Sequence, residues 1–206
     1  MEEQERTPNL VMVMVLTGFA FAAGGLFRSL AEWILGRSGY SESILPIALA
    51  IWTGFMAEAA IGMAVLSHLL RDLIPFSRLY RMGLGAFAIG ILIAAFTVNQ
   101  FFLALLLIPG IFVGLAFALL AGKGGGRGIL FGMVLLGFAL CQVLFISVWG
   151  NDNLSVWLSE LVGPYMLMFL MNAVMDFLIG AFVALGVFLM LQRRRREDNP
   201  SISMRR

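Results

Sequence analysis

Residues 46–71 read PIALAIWTGFMAEAAIGMAVLSHLLR, an apolar stretch with a single carboxylate, Glu58, near its middle. A helix rises about 1.5 Å per residue, so Glu58 lies roughly 18 Å beyond Pro46, near the middle of a hydrocarbon layer about 30 Å thick. A charge there costs about 2.5–3.5 kcal/mol, so the carboxylate is expected to face a partner or a wet cavity, or to hold a proton. Gly54 and Gly62 flank it by one turn on nearly the same face, which favours close helix packing.

A second apolar stretch repeats this pattern. Counted from Pro164, Asp176 takes the place that Glu58 has in the first stretch, and Gly180 again follows the carboxylate by four residues. Asn172 precedes the carboxylate by one turn and adds a neutral donor and acceptor to that face. Few other positions match, so the pattern is open to two interpretations, an internal duplication or a chance likeness between two Gly- and Leu-rich helices.

Composition places the whole chain in a membrane. Of its 206 residues, 61% are hydrophobic and only 13% are charged, and its mean hydropathy is +0.95. Such a chain is too apolar for a soluble domain. The one cysteine excludes an intrachain disulfide, and the one histidine excludes a bis-histidine haem within the chain, so no cofactor is expected.

The apolar runs predict an all-α, polytopic protein with six transmembrane helices in one domain, residues 10–192. A short segment, residues 1–9, precedes this domain, and a basic tail, residues 193–206, is expected to be disordered. The polar stretch 151–160 is expected to lie along the membrane interface. The predicted helices cover about 10–35, 44–70, 82–98, 101–122, 128–149 and 161–192, with a tight hairpin at Asn99–Gln100.

The basic residues predict the orientation. In this topology, twelve of the fourteen basic residues fall on the side that holds both termini, and only Arg28 and Arg37 fall towards the other. The positive-inside rule then makes both termini cytoplasmic, in a multi-pass protein of the cell (inner) membrane. The run of four arginines, residues 193–196, is expected to contact anionic lipid, and nucleic acid is not an expected partner.

Two interpretations apply to the buried acids. Glu58 and Asp176 could together hold a cation or share one proton, because two carboxylates in a low-dielectric pocket do not both ionise easily. Alternatively, each acid accepts hydrogen bonds from a neighbouring helix or pairs with an arginine, and only fixes packing. Asn172 is assigned to the same site as Asp176, with helix packing as its alternative.

Three further residues are candidates for a gate or a proton relay. Arg28 and Glu32 form an i,i+4 pair that could clamp an anionic solute, although such pairs more often neutralise each other and extend to the membrane surface. His68 lies ten residues after Glu58 and could relay a proton from it, or simply sit at the level of the lipid headgroups.

Three classes of function fit these observations. The preferred one is transport of a small solute or cation, coupled to protons or cations or channel-like, through Glu58 and Asp176. The second is a non-enzymatic subunit of a larger membrane complex. The lipid bilayer is a partner in every case, and a transporter of six helices usually needs a second copy, as in a homodimer. Small residues at four-residue spacing in the first helix, Gly18 with Ala22 and Ala20 with Gly24, favour such contacts. In size, topology and this face, the chain resembles the substrate-binding component of energy-coupling-factor vitamin transporters, a resemblance of architecture that implies no site residues. The third is an intramembrane enzyme using both acids.

Overall fold

The computed structural model describes residues 8–37, 44–97, 107–122 and 124–198, with side chains for all of these except 31, 32, 34–37, 44–51 and 95–97. Within these ranges the chain folds into seven helices and no strands, as expected for an all-α protein. The helices are α1 (Leu10–Arg37), α2 (Ile44–Leu69), α3 (Phe76–Thr97), α4 (Leu107–Leu120), α5 (Arg127–Trp149), α6 (Asp152–Val162) and α7 (Pro164–Asp198).

Four of these helices are long and apolar enough to cross a membrane. They are α1, α3, α5 and α7, and α4 is a shorter apolar helix of 14 residues. In α2, the side chains are described only from Trp52 onwards. The described part of the chain therefore supports four such helices and not the full set of six that the sequence predicts. The predicted hairpin at Asn99–Gln100 lies outside the described residues.

Several helix boundaries differ from the prediction. The helix predicted from Leu161 to Gln192 begins at Pro164 instead, because Gly163 ends α6 with a positive φ of 86° and proline is well suited to the first helical position. That helix also continues to Asp198, six residues beyond Gln192, since arginine is a good helix former. Residues 193–198, which the sequence analysis assigns to the tail, thus form the end of this helix, and residues 199–206 lie outside the described ranges. The helix predicted from Met82 begins at Phe76.

The polar stretch before α7 forms a helix of its own, α6. Asn151 caps it by accepting a hydrogen bond from the Leu154 amide at 3.2 Å. One face of α6 packs against α5 and α7 through Leu154 and Leu158, whereas Trp157 on the other face is 58% exposed. This amphipathic character suits a helix that lies along a membrane interface.

The other six helices form a closed ring. Each packs against the next in the order α1, α2, α3, α4, α5 and α7, and α7 packs back against α1. Aromatic side chains fill the interior, where the Phe21 ring lies 5.5 Å from that of Phe87, and Phe87 lies 6.0 Å from Phe117. All three are fully buried. The ring places α1 between α2 and α7, the two helices that carry the acids.

Candidate functional site

Three charged side chains from three helices meet inside the ring. Arg28 of α1 donates from Nη1 to the Glu58 Oε2 atom of α2 at 3.0 Å. Its Nη2 donates to both carboxylate oxygens of Asp176 in α7, at 2.8 and 3.1 Å. Arg28 is only 5% exposed and both acids are fully buried. These three residues are called the charge cluster below.

The surroundings of the charge cluster strengthen the attraction between Arg28 and its partners. The Arg28 guanidinium lies over the ring of Phe55, 4.2 Å from its centroid. Phe55 is itself buried and precedes Glu58 by three residues in α2. A cation over an aromatic face is attracted by the negative potential of the ring, and the attraction grows when water is excluded. The same low-dielectric surroundings strengthen the pairing of Arg28 with its carboxylates.

Glycines bring the three backbones close enough for these contacts. Gly24 lies so near α2 that a Cβ atom added to it would be 2.5 Å from the Glu58 Cα atom. A Cβ atom at Gly25 would overlap the Asp176 carboxylate, and one at Gly54 would be 2.5 Å from the Arg28 Cγ atom. The small-residue face of α1 is therefore used within the chain, against α2 and α7.

The glycine that follows the carboxylate in both α2 and α7 also has a role in packing. Gly62 and Gly180, each four residues after its carboxylate, both face Phe21 of α1. Phe21 precedes Arg28 by seven residues, or about two turns, so both side chains lie on one face of α1. One helix thus presents an arginine between two acids and a phenylalanine between two glycines. Because both neighbours pack against the same two side chains of α1, there is a physical reason for a carboxylate followed by a glycine in each of them.

Asn172 lies beside the charge cluster and not in it. Its Nδ2 donates to the Ser29 Oγ atom at 2.9 Å, which joins α7 to α1 one turn away from the pair between Arg28 and Asp176. Ser29 is fully buried and follows Arg28 directly. Asn172 therefore makes a helix-packing contact that also limits how far α7 can slide along α1.

The predicted gate and relay residues are placed differently. Arg28 does not extend to the surface, as a pair with Glu32 would favour; it is buried because two carboxylates from other helices receive its guanidinium. The Glu32 side chain lies outside the described residues. His68 is exposed at the end of α2, ten residues from Glu58, with about 15 Å of helix rise between them.

Glu58, Asp176 and Arg28 can each be singled out in the sequence, but the sequence does not connect them. Phe55 and Ser29 cannot be singled out, because a phenylalanine and a serine in an apolar helix carry no signal of their own. The signal in α1 is that Arg28 follows Phe21 by seven residues on one helix face. Arg28 can then meet the carboxylate of each neighbour, and Phe21 can meet its glycine. That comparison requires knowing that α1 lies between α2 and α7.

The charge count of the cluster limits its chemistry. With both acids ionised, its three groups carry one net negative charge, and one bound proton makes them neutral. The guanidinium occupies the space between the carboxylates where a metal ion would have to bind. Among the described residues, no three His, Cys, Asp or Glu side chains lie close enough to hold a metal. No family model matches this chain, and neither a curated protein nor a solved structure does.

Proposed function

We propose that the protein moves a small solute or a cation across a membrane and that the charge cluster binds the coupling proton. One observation carries this proposal, which is that a buried arginine faces two buried carboxylates. Burying a net charge is costly, so the ionised cluster favours taking up one proton. A group that gains and loses a proton inside the membrane is the element that a proton-coupled transporter needs.

A proton suits this cluster better than a metal cation. Arg28 already supplies the positive charge between the acids, and a second full cation beside it would be repelled. A proton needs only one carboxylate oxygen. When it binds, one carboxylate weakens its hold on Arg28, and the guanidinium then pairs mainly with the other. The proposed switch is therefore a change in which helix, α2 or α7, holds α1.

The proposed placement in the membrane puts the cluster near the midplane. Asp176 is twelve residues after the first residue of α7, which corresponds to about 18 Å of helix. We propose six spans with both termini cytoplasmic in a cell (inner) membrane, on the basis of the basic residues at one end of the bundle. A mid-membrane site can be reached from either side as the helices move, as alternating access requires.

Infrared spectroscopy of the purified full-length protein in lipid tests the proton site directly. We expect the band of a protonated carboxylic acid to appear in the wild type as the pH is lowered. Glu58→Gln and Asp176→Asn each leave Arg28 with one carboxylate, and this pair is neutral without a proton. Each variant should therefore lack the band of the protonated acid. Asp152→Asn, at an exposed acid of α6, is the matched control and should leave the band unchanged.

A flux measurement tests transport itself. Proteoliposomes on a solid-supported membrane would be exposed in turn to monovalent cations, amino acids and small organic anions, at several pH values. We expect one probe to produce a pH-dependent current that both cluster variants lose and Asp152→Asn keeps. A folded Asp176→Asn protein with the wild-type pH-dependent current would refute the proposal, as would a wild type without either a current or the infrared band.

A second candidate is a non-enzymatic subunit of a membrane complex, in which the cluster acts as a static brace. The observation that favours it is the two-atom contact of Arg28 with Asp176, a geometry that fixes orientation. The small residues Gly18 and Gly24 give this candidate less support, because they pack against Phe177 and Glu58 within the chain. A brace predicts no protonation band and no current, with stable co-purification of a partner.

A further inference from the structure

A basic cavity lies at the end of the bundle where α7 leaves the ring, far along that helix from the charge cluster. It has a volume of about 370 Å³ and lies between the start of α3, the loop joining α4 to α5, and the last turns of α7. Three arginines line it, Arg78 from α3 with Arg194 and Arg195 from α7. Its apolar wall is made of Leu73, Ile74 and Leu191.

The arginines at the end of α7 are not equivalent. Arg194 and Arg195 line the basic cavity, whereas Arg193 and Arg196 line a separate surface groove beside α5. The sequence predicts only a run of four like charges. The helical spacing places the four arginines on two faces of α7. The first turn of α3 adds Arg78 to the face that holds Arg194 and Arg195.

The Arg194 side chain is anchored by one hydrogen bond, and its Nε donor is not used. Its Nη2 donates to the Ala121 carbonyl at 2.9 Å, which anchors the side chain against the end of α4. Its Nε is buried and has no hydrogen-bond partner within the described ranges. Neither Arg78 nor Arg194 forms an ion pair with a described side chain. Two guanidiniums of one cavity thus have no direct ion pair with a described side chain.

The two acids at the cavity compensate only in part. Glu197 accepts from the Gly125 amide at 3.0 Å and from the Arg193 Nε at 3.1 Å, so a basic residue outside the cavity already balances it. Asp198, at the last turn of α7, is then the lining acid that remains to compensate Arg78 and Arg194. The cavity keeps an excess of positive charge beside an apolar wall.

We propose that this basic cavity binds a phosphate group, with the headgroup of an anionic phospholipid as the source that its apolar wall favours. Guanidinium groups match the oxygens of a phosphate with charge-assisted hydrogen bonds. The wall formed by Leu73, Ile74 and Leu191 suits the glycerol and first methylenes of a lipid. A free phosphate would share the arginines but would gain nothing from that wall. This site is separate from the charge cluster and does not depend on the proposed transport.

Native mass spectrometry of the full chain in neutral detergent tests the lipid, with dioleoyl phosphatidylglycerol compared with dioleoyl phosphatidylcholine. We expect the anionic lipid to bind at least about fivefold more tightly, as expected for about 1 kcal/mol per arginine contact. Arg78→Gln and Arg194→Gln should each lower that affinity about fivefold. Arg81→Gln, one turn further along α3, and Arg196→Gln remove the same charge outside the cavity and should change the affinity less than about twofold.

Arg78→Gln is the decisive variant, because no described hydrogen bond of its side chain is lost and the fold is expected to persist. Equal losses for Arg78→Gln and Arg81→Gln would overturn the proposal, since they would show attraction by charge alone. Equal affinities for the two lipids together with no response to phosphate would overturn it too. Inorganic phosphate and pyrophosphate form the second arm, read by thermal unfolding. A rise in the unfolding midpoint that Arg78→Gln abolishes would support the phosphate site and assign it to a soluble ligand.

Discussion

Helices α2 and α7 present the same pattern to α1, yet they hold it differently. Asp176 of α7 receives two hydrogen bonds from Arg28, whereas Glu58 of α2 receives one and shares the guanidinium with the ring of Phe55. The contact with α7 is therefore the more strongly bonded of the two. Under the proposed function, Glu58 is the acid that we expect to take the proton, because it has fewer hydrogen bonds from Arg28 to lose.

The two contacts also differ in what fills the space between the helices. At α2, Gly24 meets the Glu58 backbone, which cannot yield without separating the helices. At α7, Gly25 meets the Asp176 side chain, which can rotate. One interface is thus set by backbone contact and the other by an ion pair. Variants that remove each element separately should show which interface depends on charge.

Removing the shared arginine should have the largest effect. Arg28→Met leaves two buried carboxylates without their cation, and the loss of one partner of a buried pair costs about 3–5 kcal/mol. We expect a large fall in the free energy of unfolding in micelles at neutral pH. The triple variant Arg28→Met, Glu58→Gln, Asp176→Asn carries no buried charge in the cluster and should recover most of that loss. An equally unstable triple variant would contradict an electrostatic origin.

Adding a methyl group to either glycine of α1 should separate the two interfaces. Gly24→Ala is expected to cost about 1–3 kcal/mol, because the new atom collides with the α2 backbone. Gly25→Ala should cost less, because the Asp176 carboxylate can move, but it should weaken the pair with Arg28 and shift the infrared band. Thermal unfolding and infrared spectroscopy measure the two effects.

Gly132→Ala in α5 is the matched control for these glycine variants. A Cβ atom there meets nothing within 4 Å, so the change should stabilise the helix by about 0.5–1 kcal/mol. If Gly25→Ala destabilised the protein more than Gly24→Ala, the assignment of backbone contact to α2 would be wrong.

Neutralising the acids one at a time compares the two ion pairs directly. Asp176→Asn removes the partner of two charged hydrogen bonds and Glu58→Gln the partner of one, so we expect Asp176→Asn to be less stable by about 1–2 kcal/mol. Chemical or thermal unfolding in the same detergent measures the difference. Asp152→Asn should change stability by less than about 0.5 kcal/mol. Equal losses for the two cluster variants would show that the second hydrogen bond to Asp176 contributes little.

The sequence was sufficient to predict the helical fold and the two acids. A carboxylate in an apolar helix is an expensive residue, so Glu58 and Asp176 stand out without any structure. Arg28 was harder to assign, because Glu32 offered a partner four residues away and a local pair is the simplest expectation. The sequence does not show that α1 lies between α2 and α7, and only that arrangement brings Arg28 to both acids.

Other features depend on contacts between helices and have no local signal. Gly25 looks like any small residue of α1, yet it determines where the Asp176 carboxylate can lie. The basic cavity likewise combines Arg78 with two residues more than a hundred positions away. The end of α7 is a different case, since a run of charges suggested disorder, whereas the helix continues through these arginines, which are good helix formers.

The smallest expected effect concerns Asn172, which sharpens the comparison because α2 has Gly54 at the matching position. Asn172→Ala removes the hydrogen bond to Ser29, and such contacts between membrane helices contribute about 0.6 kcal/mol on average. A double-mutant cycle with Ser29→Ala, read by unfolding in micelles, isolates that coupling. A coupling near this value would show that α7 is fixed to α1 mainly by the ion pair, so that a change of protonation in the charge cluster can move the helix. A coupling several times larger would mean that Asn172 clamps α7 against α1, and the switch would then have to lie on the side of α2.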